Sequence, residues 1–118
     1  MRAKDAVGQR GEALAARYLQ ESGLHVIDRN WRCSDGEIDI VALDGDVLVV
    51  VEVKTRSSLN YGHPLEAITE PKLQRLHRLS AAWRRFHALQ FREHRIDAIA
   101  VVRQGNNAPT VEHLKAVG

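Results

Sequence analysis

The sequence predicts an α/β fold in which a mixed central sheet is flanked by two helices, with the element order α-β-β-β-α-β-β. Three observations predict this fold. Apolar residues recur with a helical period near the start of the chain and again after residue 69. Two apolar strand segments, Glu37–Leu43 and Val47–Thr55, are joined by a short turn that contains Gly45. The run Val47–Val51 has no polar residue, which is typical of a covered central strand.

The composition is that of an ordinary globular protein. The 118 residues are 44% hydrophobic and 27% charged, which suits a single domain spanning residues 1–118. The net charge of +2 does not by itself indicate nucleic-acid binding. The single cysteine, Cys33, excludes an internal disulfide and a cysteine-rich zinc site. Because the chain has neither a signal-peptide pattern nor an apolar run of transmembrane length, we expect a soluble cytoplasmic protein that does not enter membranes.

The first half of the chain predicts one helix and one strand before the hairpin. The helix spans Ala6–Ser22, with Asp5 as a plausible N-cap and Gly23 where a C-terminal glycine belongs. Its apolar stripe consists of Leu14, Ala15, Tyr18 and Leu19. The strand spans Leu24–Trp31. We interpret Trp31 as a packing residue rather than a base-stacking one.

The second half predicts a second helix and two strands. After a polar loop from Arg56 to His63, Pro64–Ile68 is expected to form a short helical turn. Thr69 is the predicted N-cap of the second helix. Its apolar face consists of Leu76, Leu79, Trp83 and Phe86. The strands are Arg95–Val102, in which Asp97 is interpreted as structural, and Thr110–Leu114, a short final strand.

The hairpin brings carboxylates together. If Gly45-Asp46 is a two-residue loop, residues whose numbers sum to 91 lie opposite each other, so Asp39 faces Glu52 and Glu37 faces Lys54. If Asp44-Gly45 is the loop, the pairs become diagonal but keep the same face. Two carboxylates inside an apolar hairpin repel each other unless a positive charge compensates. A divalent hard cation such as Mg²⁺ would supply that charge, although ordinary ion pairs with Lys54 or an arginine are the alternative interpretation.

Cationic residues surround these carboxylates in the sequence. From Lys72 to Arg92 the chain has six Lys or Arg residues and no Asp or Glu, a pattern that phosphate-backbone binding would use and that a solvated basic helix also shows. Arg56 follows the buried strand and would either bind phosphate or neutralise Asp39. The predicted nucleic-acid-binding residues are Arg56, Lys72, Arg75, Arg78 and Arg85.

Taken together, the element order and the motifs G-E-x-D and E-x-K resemble the PD-(D/E)xK nuclease superfamily, which has a restriction-endonuclease-like core. More narrowly, the chain is similar to the YraN-like family of uncharacterised bacterial proteins, relatives of the archaeal Holliday-junction resolvases. The similarity covers nearly the whole chain. The matching segments, in order, are Gly8-x-x-Gly11-Glu12, Asn30-Trp31-Arg32, Gly36-Glu37-Ile38-Asp39, Val51-Glu52-Val53-Lys54-Thr55-Arg56, Lys72 and Arg95-Ile96-Asp97.

The resemblance implies a role for each of five residues. Asp39 and Glu52 would ligate Mg²⁺ or Mn²⁺ together with the carbonyl of Val53. Glu12, which taken alone is a solvated helix residue, would be a further ligand, directly or through water. Lys54 would orient or activate the attacking water and stabilise the negative charge that develops on the phosphate.

Three functions follow from these residues. The leading one is a metal-dependent DNA endonuclease, for which branched or damaged DNA is a candidate substrate. The alternative is a non-catalytic nucleic-acid-binding module that keeps the site as a structural metal site or substrate clamp. The third is a purely structural role in which Lys54–Glu37 and Arg56–Asp39 are salt bridges. The resemblance also implies a homodimer, because cutting a DNA junction requires two active sites.

Overall fold

The chain forms a five-stranded sheet with a helix on each face, in a computed structural model that describes residues 6–57 and 62–118. The elements are α1 (Ala6–Glu21), β1 (His25–Cys33), β2 (Gly36–Asp44), β3 (Val47–Arg56), a 3₁₀ turn (Pro64–Ala67), α2 (Glu70–Phe86), β4 (Glu93–Val102) and β5 (Thr110–Leu114). The strands lie in the order β1-β2-β3-β4-β5, with β3 parallel to β4 and all other neighbours antiparallel. The predicted α/β class, element order and mixed sheet are confirmed.

The first helix ends as its sequence predicts. Gly23 has a φ of +96°, a left-handed conformation that glycine adopts at little cost. Its amide donates to the carbonyl of Gln20, and the amide of Leu24 donates to that of Leu19, which satisfies carbonyls at the helix end. The expected N-cap Asp5 and positions 58–61 of the expected polar loop lie outside the described residues. Neither α1 nor α2 has the length and apolar character of a membrane-crossing helix.

The β2–β3 hairpin has the register that a Gly45-Asp46 loop predicts. Asp44 pairs with Val47, and the ladder continues to the pair of Ile40 and Val51. Gly45 has a φ of +58°, so the tight turn uses the conformational freedom of glycine. The first of the two predicted registers is therefore confirmed.

Two cores lie on the two faces of the sheet. Strand β3 contributes to both, because its side chains alternate between the faces and Leu48, Val49, Val50 and Val51 are fully buried. The core on the α1 side contains Ala15, Leu19, Ile40, Val49, Val51 and Ile99 among its buried residues. The core on the α2 side contains Ile38, Val41, Val50, Leu76, Leu79, Trp83 and Ile96. The central position covered on both faces, as predicted for β3, is therefore confirmed.

One residue of the predicted α2 face is not in the core. Leu76, Leu79 and Trp83 are buried, but Phe86 is 74% exposed, so the predicted apolar face of α2 is buried at three of its four residues. Phe86 is the last residue of α2, and its ring makes an edge-type contact with the ring of Trp31 on β1 at a centroid distance of 5.9 Å. Trp31 itself packs against the α2-side core, as the packing interpretation predicts.

Candidate active site

Strands β2 and β3 separate at the end of their ladder, and the predicted carboxylates lie at this separation. Pairing between them ends at Ile40–Val51, whereas β2 stays paired with β1 as far as Gly36 and β3 with β4 as far as Arg56. Asp39 and Glu52 would be the next pair, so the predicted strand pairing at that position is not formed. Instead, the backbone amide of Val53 donates to Oδ2 of Asp39 at 2.8 Å.

The alternation of β2 is interrupted at the same point. Ile38 and Val41 both belong to the α2-side core, although an odd spacing in a regular strand places side chains on opposite faces. Ile40 and Ala42 belong to the α1-side core, as regular alternation requires. The irregularity between Ile38 and Ile40 frees the Asp39 carboxylate to reach across to the backbone of β3. This reach replaces the side-by-side arrangement that the simple hairpin predicts.

Glu52 is held by two lysines. The residue is 5% exposed, and its Oε2 lies 2.9 Å from Nζ of Lys72 on α2 and 3.4 Å from Nζ of Lys54 on its own strand. A buried carboxylate needs such partners, because burial without compensation is costly. On the neighbouring strand Glu37 accepts a hydrogen bond from Nε of Arg32 at 2.7 Å. One of the two cations that pair with Glu52 therefore comes from α2, which is distant from β3 in the sequence.

Helix α1 brings the third carboxylate. Glu12 is 2% exposed, and its Oε1 lies 3.5 Å from a guanidinium nitrogen of Arg29 on β1. The preceding residue, Gly11, lets α1 approach β3 closely: a Cβ there would meet Oγ1 of Thr55 and would lie 2.8 Å from its Cγ2. The interpretation of Glu12 as a solvated helix residue was therefore wrong, since the close approach buries it.

A single cavity of about 400 Å³ joins these residues. Its lining contains the predicted acidic and basic residues Glu12, Asp39, Glu52, Lys54, Arg56, Lys72 and Arg75, together with Val53. Its walls are completed by Glu37, by Thr55, by Val7 and Gly8 of α1 and by Leu76 and Leu79 of α2, so both helices contact the cavity. Arg78 and Arg85 do not line it and are exposed on α2. Arg56 donates from its guanidinium to the carbonyl of Thr55 at 3.0 Å.

The donor set suits a hydrated hard cation. Among residues 6–57 and 62–118, no three His, Cys, Asp or Glu side chains converge in the manner of a fully protein-ligated metal site. Mg²⁺ does not require such a site, because it is commonly held by one or two carboxylates and keeps several waters. Asp39 and Glu52 offer carboxylate oxygens in one cavity, and oxygen ligands suit Mn²⁺ equally. The residues therefore fit a Mg²⁺ or Mn²⁺ ion with few protein ligands.

Sequence reasoning missed several contacts of this site, among them the ion pair of Lys72 with Glu52. The contact of Arg29 with Glu12 joins α1 to β1, and Arg32 binds Glu37 within the β1–β2 pair. The close contact of Gly11 with Thr55 is signalled in the sequence only by a glycine inside a helical pattern. Such a glycine indicates a close approach but does not identify the residue it approaches.

The chain matches known sequences over most of its length. A family model described as "Uncharacterised protein family UPF0102" matches residues 11–101. A UPF0102 protein of Arthrobacter sp. (strain FB24) is 61% identical over 118 residues, which cover all of both chains. A UPF0102 protein of Beutenbergia cavernae is 58% identical, again over all of both chains.

One solved structure with a related arrangement is that of Archaeoglobus fulgidus Hjc, described as a Holliday junction resolvase from an archaeal hyperthermophile. It is 19% identical to this chain, and the superposition has a TM-score of 0.47. The match covers 89% of this chain and 75% of the Hjc chain.

Proposed function

This chain belongs to the uncharacterised protein family UPF0102, and from the residues of its cavity we propose that it is a Mg²⁺- or Mn²⁺-dependent endonuclease that hydrolyses phosphodiester bonds in DNA. One observation carries the proposal: the buried carboxylates of Asp39 and Glu52 and the ammonium of Lys54 line the same cavity. This combination is the D…E-x-K pattern of the PD-(D/E)xK nucleases that the sequence resembles.

Each residue has a distinct role in this proposal. Asp39, Glu52 and the Val53 carbonyl would hold the metal ion, with Glu12 contributing directly or through water. The ion, when bound, polarises a phosphoryl oxygen and lowers the pKa of a bound water. Lys54 carries a fixed positive charge in the cavity, where it would orient the attacking water and stabilise negative charge on the scissile phosphate. The hydrogen bond from Val53 keeps the Asp39 carboxylate in position.

Cationic residues at the cavity would hold the DNA backbone. Arg56, Lys72 and Arg75 line the cavity beside the carboxylates. Arg78 and Arg85 are exposed farther along α2 and would extend the contact with phosphates. Phosphate contacts of this kind position a duplex without reading its sequence. We therefore expect binding with weak sequence preference and strong salt dependence.

The ion pair between Lys72 and Glu52 supports a second candidate function. Because ammonium groups already compensate the Glu52 carboxylate, this carboxylate does not require a divalent cation as its partner. A non-catalytic nucleic-acid-binding module would need no more than this. The two functions differ in whether DNA is cut when metal is supplied.

The deciding experiment incubates the protein with linear and branched DNA in Mg²⁺, Mn²⁺ or EDTA. The proposed endonuclease cuts DNA only with metal, and both Asp39→Asn and Lys54→Ala abolish cutting while leaving binding in EDTA intact. Arg92→Gln serves as the control, because Arg92 is exposed and lies outside the cavity. DNA binding by all variants without cutting under any metal would favour the binding module instead.

We further propose that the substrate is branched DNA and that the active form is a homodimer. Symmetric cutting of a four-way junction requires two active sites, which a dimer of this chain would supply. Light scattering with and without a junction measures the oligomeric state directly. A monomer that cuts linear and branched DNA at equal rates would remove the junction specificity but keep the nuclease activity.

A further inference from the structure

A second cavity of about 540 Å³ lies beside the candidate active site, on the α1 side of the sheet. Four arginines line it: Arg10 and Arg17 of α1, Arg56 at the end of β3, and Arg103 directly after β4. We call this surface the arginine groove. Its apolar lining includes Val7, Leu14, Val101 and Pro109. The sequence reasoning placed cationic binding residues on α2 and did not single out Arg10, Arg17 or Arg103.

The described lining of the arginine groove is positively charged. No Asp or Glu is among the described residues that line it. Arg10, Arg17 and Arg103 are exposed, and none of them forms an ion pair with another described residue. Because like charges gathered on one surface raise its electrostatic potential, the groove attracts anions. Guanidinium groups in particular match the geometry of phosphate through paired N–H donors.

The arginine groove adjoins the active-site cavity. Val7, Thr55 and Arg56 line both cavities, so they meet where α1 crosses the end of β3. The amide of Arg103 donates to the carbonyl of Arg56 at 3.1 Å, which fixes the segment after β4 to the strand that carries Glu52 and Lys54. Arg56 therefore places a guanidinium group where the two cavities meet.

The spacing of the arginines suits a chain of phosphates. Arg10 and Arg17 are seven residues apart in α1, so they lie on nearly the same side of the helix. Two helical turns separate them by about 10 Å. One strand of a duplex advances about 3.4 Å along the axis per phosphate, so this separation corresponds to about three nucleotides. An extended polymer of phosphates supplies anions at this spacing, whereas a ligand with a single phosphate does not.

We propose that the arginine groove binds the phosphate backbone of the DNA segment that flanks the cleavage position, with Arg10, Arg17 and Arg103 as the contacts and Arg56 at the junction with the active site. This inference rests on the proposed function, because it identifies a second DNA-binding surface for the same site. The proposal adds a DNA-binding surface on α1 to the one proposed on α2, so that bound DNA extends along both helices from the active-site cavity.

The test compares two double variants that remove equal charge. Arg10→Gln/Arg17→Gln alters the groove, and Arg92→Gln/Lys115→Gln alters exposed positions outside both cavities. Fluorescence anisotropy with a labelled duplex in EDTA measures the Kd across a salt series. We expect the groove variant to raise the Kd for DNA about tenfold at about 100 mM salt. The plot of log K against log salt should become shallower, its slope decreasing in magnitude by about 2. The Kd of the control pair should stay near the wild-type value.

A cleavage assay with Mg²⁺ separates this inference from the proposed function. If the groove variant cuts bound DNA at the wild-type rate but needs a higher DNA concentration, both stand. If wild-type protein cuts DNA and the groove variant binds like the control pair, the inference is wrong and the endonuclease proposal survives. If wild-type protein neither binds nor cuts DNA, both are wrong. Loss of poly-L-glutamate binding with unchanged DNA affinity would overturn the inference in favour of an acidic protein partner.

Discussion

The ammonium nitrogen of Lys72 lies 2.9 Å from Oε2 of Glu52, the same carboxylate oxygen that Nζ of Lys54 approaches to 3.4 Å. This contact joins α2 to the central strand at the candidate metal site. A divalent cation that binds Glu52 competes with both ammonium groups for this oxygen. We therefore expect Lys72 to exchange its partner from Glu52 to a phosphate group when metal and DNA bind.

The first prediction concerns Lys72→Met. Removing the competing ammonium should lower the Kd for Mn²⁺ by about fivefold, because a nearby positive charge of this kind costs a bound cation about 1 kcal/mol. Titration calorimetry without DNA measures this change. Arg75→Met is the matched control, since Arg75 lines the same cavity but has no ion pair with Glu52 among the described contacts. An equal gain in both variants would show a general charge effect instead of competition at Glu52.

The second prediction separates the two roles of Asp39. Asp39→Asn keeps an oxygen that can accept the Val53 amide, so the free energy of unfolding should fall by about 1 kcal/mol or less. Asp39→Ala leaves that amide without its acceptor and should cost about 1–3 kcal/mol. Urea denaturation measures both. Mn²⁺ binding should be lost in both variants, and retention of wild-type affinity by either would exclude Asp39 as a ligand.

The third prediction concerns the approach of α1 to β3. Gly11→Ala should lower the free energy of unfolding by about 2 kcal/mol, because the new Cβ meets the Thr55 side chain. Thr55→Ala removes Oγ1 and Cγ2, so the double variant should recover part of the loss, with a coupling energy of about 1 kcal/mol. Thermal denaturation of all four proteins completes the cycle. Strict additivity would mean that the clash is relieved elsewhere.

The fourth prediction assigns Asp97 to stability. Asp97 is fully buried, and it accepts hydrogen bonds from Nε of Arg95 at 2.9 Å and from the amide of Ala116 at 2.9 Å, while Nε2 of His113 lies 2.8 Å from its Oδ2. Burial works to lower the pKa of Arg95, but its hydrogen bonds to Asp97 and Asp44 raise the pKa above its ordinary value. Asp97→Asn should therefore cost about 3 kcal/mol of stability.

Activity provides the control for Asp97. Asp97 does not line the candidate active-site cavity, so the folded fraction of Asp97→Asn should cut DNA at the wild-type rate below its melting temperature. Denaturation and single-turnover cleavage at low temperature measure the two properties separately. Loss of cleavage in protein that remains folded would contradict the structural assignment.

The fifth prediction is a pH dependence at His94. Burial, then the charges of Arg84 and His77, lower the pKa of His94 below its ordinary value of 6.5. Between the lowered pKa and 6.5 the unfolded chain binds more protons than the folded one, so the contribution to stability is lost as pH falls through this window. The free energy of unfolding of His94→Gln, measured relative to that of wild type, should therefore be higher at about pH 5.5 than at about pH 8. Arg84→Gln should reduce this difference, and a constant offset at both pH values would exclude His94 titration.

Local sequence information was sufficient for the hairpin turn, although it left two registers open. A glycine at position 45 between two apolar strands predicts a two-residue turn, and the observed Gly45-Asp46 loop sets the register as far as Ile40–Val51. The continuous apolar run of β3 likewise predicts a strand covered on both faces, and both helices cover it. These features depend on residues close together in the chain, which explains why they can be predicted without a structure.

The features that the sequence could not predict depend on contacts between residues that are far apart in the chain. The separation of β2 from β3 depends on Ile38 packing with α2 and on the Asp39 carboxylate replacing a strand partner of Val53. Phe86 fits the helical period, but its exposure depends on where α2 leaves the sheet. The contact of Lys72 with Glu52 joins α2 to β3, and no local pattern in either element signals it. Such features follow from tertiary packing rather than from periodicity.

The hydrogen bond between Val53 and Asp39 makes one backbone proton a sensor of the site. Because the Val53 amide donates to a carboxylate that would also ligand the cation, its NMR resonance frequency should respond to ion loading before any nucleic acid is added. Deuterium uptake at this single position would report on the same event over minutes to hours. Occupancy of the pocket by the ion can thus be followed separately from any activity on nucleic acid.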